Sequence, residues 1–95
     1  MPDAQRCAIA GIKFGRGLAT IEEELSMFEE FRQWERVRTA VSNIRDTHKE
    51  LRYCIEDFPE IGEEVRQLTA ACDERDWRDL RKAFYDVMRK VSKTL

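Results

Sequence analysis

All four glycines and both prolines of this 95-residue chain lie outside positions 18–58. Within that breaker-free stretch, Trp34, Val37, Val41, Ile44, His48, Leu51, Ile55 and Phe58 recur at alternating steps of 3 and 4. That spacing keeps one side of a helix apolar, and held over successive heptads it forms a seam for helix packing. Thr20 and Glu23 form a capping-box pattern at its start, and Pro59 pushes Phe58 out of the helical region at its end. The pattern predicts a helix over 20–57, roughly 55 Å long at 1.5 Å per residue. One irregularity interrupts it. Ile21, Leu25, Phe28, Phe31 and Trp34 are spaced 4, 3, 3 and 3, out of heptad phase with the seam from Trp34 onward. A local change of winding or a bend near 28–34 would absorb the mismatch. Thr47 and Glu50 could cap a new helix, but the seam runs through them and favours continuity.

Two shorter helices come next. Asp57 and Glu60, with Pro59 between them, signal a start, and Ile61, Val65, Leu68 and Cys72 carry an apolar stripe over 59–72. A polar turn at 73–76 leads to a helix over 75–93 with Trp77, Leu80, Phe84, Val87 and Val91 on one face. The expected architecture is all-α. It is a small bundle with an N-terminal arm or short helix at 1–19 and a helical domain at 20–95. In that domain one long heptad-patterned helix is followed by an αα-hairpin. Asp3 could cap a short helix over 4–13 that stops at Gly15, and Phe14 and Leu18 of such an arm could pack on a partner.

Composition narrows the function. The net charge is −2 and 38 % of the chain is charged. That is not the basic balance of an electrostatic nucleic-acid binder, and a 42 % hydrophobic content is not that of a disordered chain. No apolar run reaches the ~18 residues of a membrane span, and the N-terminus does not read as a signal peptide. A cytoplasmic location and no membrane partner are expected. Cys7, Cys54 and Cys72 are odd in number and form no CxxC pair, so reduced thiols are expected.

The charges fall in blocks. Residues 20–35 net −5, 36–53 net +3, 54–64 net −5 and 79–95 net +3. Arg38, Arg45 and Arg52 recur every seven residues beside the seam, opposite a small-residue edge of Ala40, Thr47 and Cys54. That asymmetry suits pairing with acids of a neighbouring helix, from the 22–30 or the 56–64 cluster.

No residue set suggests chemistry. His48 is the lone histidine, with no nucleophile or acid on its helical face, and reads as a satisfied interior or register-fixing residue. The 56–64 acids lack EF-hand or ExxH spacing, and neither metal nor cofactor is expected. Gly11–Gly17 has no GK[ST] ending and no strand before it, so it is not a phosphate loop. The last helix is basic and presents Tyr85 outward, but Asp79 and Asp86 interrupt it as a nucleic-acid surface.

The expectation is a non-enzymatic protein-interaction module: an adaptor, regulatory or inhibitory subunit. Its candidate contact residues are Phe28, Phe31, Trp34, Arg38, Val41, Arg45, His48 and Arg52. The partner would be a second copy, covering the long seam as a homodimer, or a larger complex. The second reading is a nucleic-acid-associated role, by direct contact of basic blocks or by inhibition through acidic blocks that imitate a phosphate backbone.

Overall fold

The computed structural model describes residues 3–93. Its elements are α1 (Ala4–Ser26), a single 3-10 turn (Glu29–Phe31), α2 (Trp34–Cys54), α3 (Gly62–Glu74) and α4 (Trp77–Ser92), with no strand among the described residues. They form two αα-hairpins. α2 packs on α1 along one side and on α3 along the other, and α4 closes against α3 and touches α1. The bundle measures 45 × 21 × 21 Å.

The all-α bundle ending in an αα-hairpin is as expected, but the long helix is two helices. The chain leaves the helical region at Met27 (φ −84°, ψ 158°) and re-enters after Gln33 (φ −119°, ψ 111°). Helix geometry explains why. Leu25 and Trp34 are nine residues apart, which at ~100° per residue puts them on opposite faces of a straight helix. Breaking the helix lets both halves of the apolar pattern meet one core. α1 then folds back along α2, and Val37, Val41, Ile44 and Leu51 of the seam are buried with Ala10, Phe14, Ile21 and Leu25 of α1. Most of the seam is covered within one chain, with Ile55 near its end exposed, so the long free apolar face that suggested a homodimer is absent among the described residues. α2 runs unbroken through 42–47, as the seam indicated.

The N-terminal segment is not an arm. Asp3 does cap a helix, accepting the Gln5 N–H at 2.9 Å. That helix continues through Gly11, Gly15 and Gly17, and Thr20 lies inside it rather than at its start. Phe14 is buried in the chain's own core, meeting Phe58 edge-on at 5.5 Å, and Leu18 packs on the same core. Packing overrides the helix penalty of glycine, about 1 kcal/mol each. At Gly17 the glycine is required. A Cβ there would lie 2.7 Å from the Ala40 carbonyl oxygen and 2.8 Å from Ile44 Cγ1.

The second hairpin is close to expectation. α3 begins later than 59, at Gly62, whose N–H is taken by the Glu60 carboxylate instead of an Asp57 cap. α3 ends with Arg75 in the left-handed region (φ 54°) and the Asp76 N–H donating to the Ala71 carbonyl, a Schellman ending. Asp76 then caps α4 through the Asp79 N–H at 3.1 Å.

The expectation of three free thiols is overturned at two. Antiparallel packing of α1 and α2 brings Cys7 and Cys54 to a Cα–Cα distance of 5.8 Å, and they form a disulfide across 47 residues of sequence. A single straight helix over 20–57 would have carried Cys54 away from residue 7. Cys72 is free and buried, and burial pushes its thiol pKa up.

Gly17→Ala destabilises the fold by about 1–3 kcal/mol through overpacking, whereas Gly15→Ala, with open space at its Cβ, stabilises it by about 0.5–1 kcal/mol. Urea unfolding curves give both signs. Reducing the Cys7–Cys54 bond lowers stability by about 2–4 kcal/mol, since it frees a long loop in the unfolded chain. The same unfolding experiment, with and without reductant and on Cys7→Ser/Cys54→Ser, measures it.

Candidate protein-binding corner

The reversal between α1 and α2 is short, exposed and firmly held. Phe28 and Phe31 are 76 % and 63 % exposed, against a core whose other phenylalanines are buried or half-buried. The segment carrying them is fixed from beneath. Glu24 is wholly buried, and its two carboxylate oxygens are used differently. Oε1 accepts the Gln33 N–H at 2.6 Å, and Oε2 pairs with Arg36 Nη1 at 2.9 Å. Arg36 also reaches Glu23 at 3.2 Å, and that contact raises its pKa. Arg32 donates from Nε to the Met27 carbonyl and from Nη2 to the Leu25 carbonyl, both at 3.0 Å. Arg81 of α4 donates to the same Leu25 carbonyl at 3.3 Å. These bonds satisfy carbonyls that the end of a helix leaves without partners.

Aromatic stacking ties the corner to the second hairpin. Trp34 and Trp77 lie 3.7 Å apart at an interplanar angle of 16°, and the Arg32 guanidinium sits 5.1 Å from the Trp77 ring centre. Such stacked and cation–π contacts each contribute on the order of 1 kcal/mol.

With Arg32, Arg36 and Arg81 engaged within the chain, the free charge of residues 20–35 is acidic. Glu22, Glu29, Glu30 and Glu35 are exposed, and none is in an ion pair among the described residues. The acidic 73–76 turn lies at this same end, beside Trp77.

The other expected contact residues separate. Trp34 is half-buried in the stack. Val41 and His48 are 3 % and 4 % exposed and belong to the interior, so the seam is not a free surface. The arginine row is exposed but largely engaged within the chain. Arg52 pairs with Glu60 at 2.6 Å, as pairing with the 56–64 acids anticipated. Arg45 lies 3.5 Å from Asp46, and Arg38 stands beside the Cys72 thiol, opposing the effect of its burial. Of the basic residues on α4, Arg81, Arg89 and Lys90 are engaged with Leu25, Asp86 and Glu64, and Tyr85 points outward as expected.

The sequence pattern singled out Phe28, Phe31 and Trp34. It missed the Glu24, Arg32 and Trp77 supports beneath them. Arg32 is the one base in the 20–35 block, the only sign in the sequence that something there needs a cation.

At the opposite end, His48, Lys49, Arg52, Tyr53, Glu60 and Arg66 line an open groove of ≈ 720 Å³. Its cations are partly spent, with Arg66 paired to Glu63 at 3.1 Å. His48 is interior as expected but not satisfied there, since its Nδ1 is buried without a hydrogen-bond partner. No group of three or more His, Cys, Asp or Glu among the described residues is arranged to hold a metal ion.

No protein-family model matches the chain, and neither a curated protein nor a solved structure matches it significantly.

Burial holds the His48 pKa below its usual value, against a smaller upward pull from Glu60. The Gly62 N–H and Arg52 hold the Glu60 carboxyl below the carboxylate range. Below the usual histidine pKa of about 6.5, the unfolded chain takes up a proton that the folded chain resists, so stability falls as pH drops. Depression of the Glu60 pKa adds a loss in the same direction at lower pH. Thermal unfolding between about pH 7 and pH 5 shows a falling Tm for the natural sequence and a nearly flat one for His48→Leu.

Proposed function

We propose that this chain is a non-enzymatic protein-interaction module, an adaptor, regulatory or inhibitory subunit, whose contact surface is the Phe28–Phe31 corner. The reading rests on one observation: two phenylalanines are exposed on a reversal that the fold holds rigidly. An ordinary surface turn would carry small or polar residues. Burying one such ring against a partner contributes on the order of 1.5–3 kcal/mol. Bracing through Glu24, Arg32 and the Trp34–Trp77 stack means that little ordering cost is left for binding. Exposed aromatic anchors on a preformed surface have the character of interface hot spots.

This surface replaces the seam as the place of contact. Of the residues the sequence suggested, Phe28 and Phe31 are anchors and Trp34 is their support, while Val41 and His48 belong to the interior of the bundle. A second copy of the chain loses its main argument as partner, because most of the seam is covered. A larger complex is the partner class we favour. No described helix is long and apolar enough to cross a membrane. The cytoplasmic residence expected from the sequence has the Cys7–Cys54 bond as an argument against it, since such bonds persist mainly in oxidising compartments.

A photo-crosslinking residue placed at position 28 or 31 in the producing cell tests the reading. The expected result is a discrete adduct, absent when the crosslinker sits at position 66 in the far groove. Phe28→Ala/Phe31→Ala leaves folding stability within about 0.5 kcal/mol, as exposed positions do. It weakens capture of the crosslinked partner about 10- to 100-fold. No adduct from either position, or capture unchanged by the double substitution, overturns the proposal.

A further inference from the structure

The corner has a second property that bears on its choice of partner. In the chain on either side of the two phenylalanines and between them, Glu22, Glu29, Glu30 and Glu35 are exposed and carry no ion pair among the described residues. Several acids elsewhere are matched, although exposed Glu56, Asp73 and Glu74 carry no ion pair among the described residues either. Glu50 pairs with Arg6, Glu60 with Arg52, Glu63 with Arg66 and Glu64 with Lys90. Three cations near the corner are engaged within the chain, while Arg75 and Arg78 beside Trp77 are exposed. Arg32 and Arg81 are spent on backbone carbonyls, and Arg36 on Glu23 and Glu24. Exposed like charges crowded on one end repel one another and cost stability unless something else uses them.

We infer that the partner of this corner is a cationic protein surface, one that presents lysine or arginine side chains around an apolar recess. This rests on the reading of Phe28 and Phe31 as the contact surface. The phenylalanines define the site, and the carboxylates define its occupant. Each exposed ring gives the recess something to fill, and each ring face also attracts a guanidinium or ammonium group. The excess of carboxylates at this end steers a positive surface toward the corner and disfavours an acidic one, so charge supplies selectivity while the rings supply affinity. A phosphate backbone is repelled by the same carboxylates, which separates this surface from direct nucleic-acid binding. A second copy of the chain is a poorer fit: several cations of its basic α4 are already engaged by Leu25, Asp86 and Glu64.

The test uses the full chain and a defined probe, a synthetic helical peptide with a lysine face and a leucine face. Its glutamate-for-lysine counterpart and a duplex oligonucleotide serve as comparisons. The expected result is binding of the lysine peptide alone. Its affinity falls about tenfold between low and physiological salt, because exposed charges are screened over about 8 Å. Glu22→Gln/Glu29→Gln/Glu30→Gln/Glu35→Gln weakens that binding by about tenfold, while Glu56→Gln/Glu63→Gln at the other end leaves it unchanged. Circular dichroism confirms that each variant stays folded. Lysine-peptide binding that is absent, or indifferent to the four corner substitutions, overturns the inference. So does equal binding of the glutamate peptide or the oligonucleotide, or a Phe28-dependent doubling of mass in light scattering. The two readings fail separately. If Phe28→Ala/Phe31→Ala weakens capture of the crosslinked partner and the four glutamine substitutions do not, the corner remains the contact surface and its cationic partner is excluded.

Discussion

The fold turns on Glu24. Its carboxylate is taken wholly out of water, which for an ion costs several kcal/mol unless charge and hydrogen bonds replace the lost solvent. Gln33 N–H supplies one bond and Arg36 the charge. Both partners lie beyond the reversal, at the start of α2, so the carboxylate is satisfied only when the chain has turned back on itself. Gln33 gains as well: its side chain makes no capping bond to α2, but its own N–H finds a buried acceptor in Glu24. One buried ion therefore links the end of α1 to the beginning of α2. The rest of the core is arranged by that reversal, since it sets α1 antiparallel along the seam.

At the other end of the same hairpin, Cys7 and Cys54 are bonded. Between these two fixed points, Gly17 lets α1 approach the Ala40 carbonyl closely. The small edge of α2, Ala40, Thr47 and Cys54, is thus explained: it is where α1 lies, and not a surface left for another molecule. Ala40 and Thr47 are buried there, with the Thr47 hydroxyl turned back to the Asn43 carbonyl. The arginine edge beside the same seam remains exposed.

What the sequence revealed depended on how local the cause was. The α3–α4 hairpin was legible because its turn residues, its Asp76 cap and its two apolar stripes act within a few positions of one another. α2 was legible from its seam. The phase slip at Phe28 and Phe31 was legible too, but its magnitude was not converted into a change of face; that conversion separates a bend from a reversal. α1 was misread because three glycines normally end a helix, and only packing on α2 shows that one is required and two are tolerated. The disulfide was hidden for a related reason, since its 47-residue separation becomes a contact only after the reversal is known. The candidate site divided along the same line. Phe28 and Phe31 stood out as apolar residues that fit neither stripe, while Val41 and His48 fitted a stripe and were therefore core.

The net charge of −2 conceals how the charges are used. In the reversal, cations are consumed by helix-end carbonyls and by the buried Glu24, because these groups have no water to turn to. Glu22, Glu29, Glu30 and Glu35 at the surface are left unmatched, since pairing each would bring only a few tenths of a kcal/mol. Folding energetics alone thus engages Arg32, Arg36 and Arg81 and leaves Glu22, Glu29, Glu30 and Glu35 without ion-pair partners among the described residues. The same reversal leaves Phe28 and Phe31 between two helices whose apolar faces both turn away from them. An exposed aromatic pair within an acidic stretch of chain is then a direct consequence of how α1 and α2 are joined. Changing the corner's charge on the inside, at Arg32 or Arg36, would disturb the fold, whereas changing it on the outside touches no internal contact. The outer carboxylates are therefore free to vary without cost to the core, and that freedom is what a recognition surface requires of the scaffold beneath it.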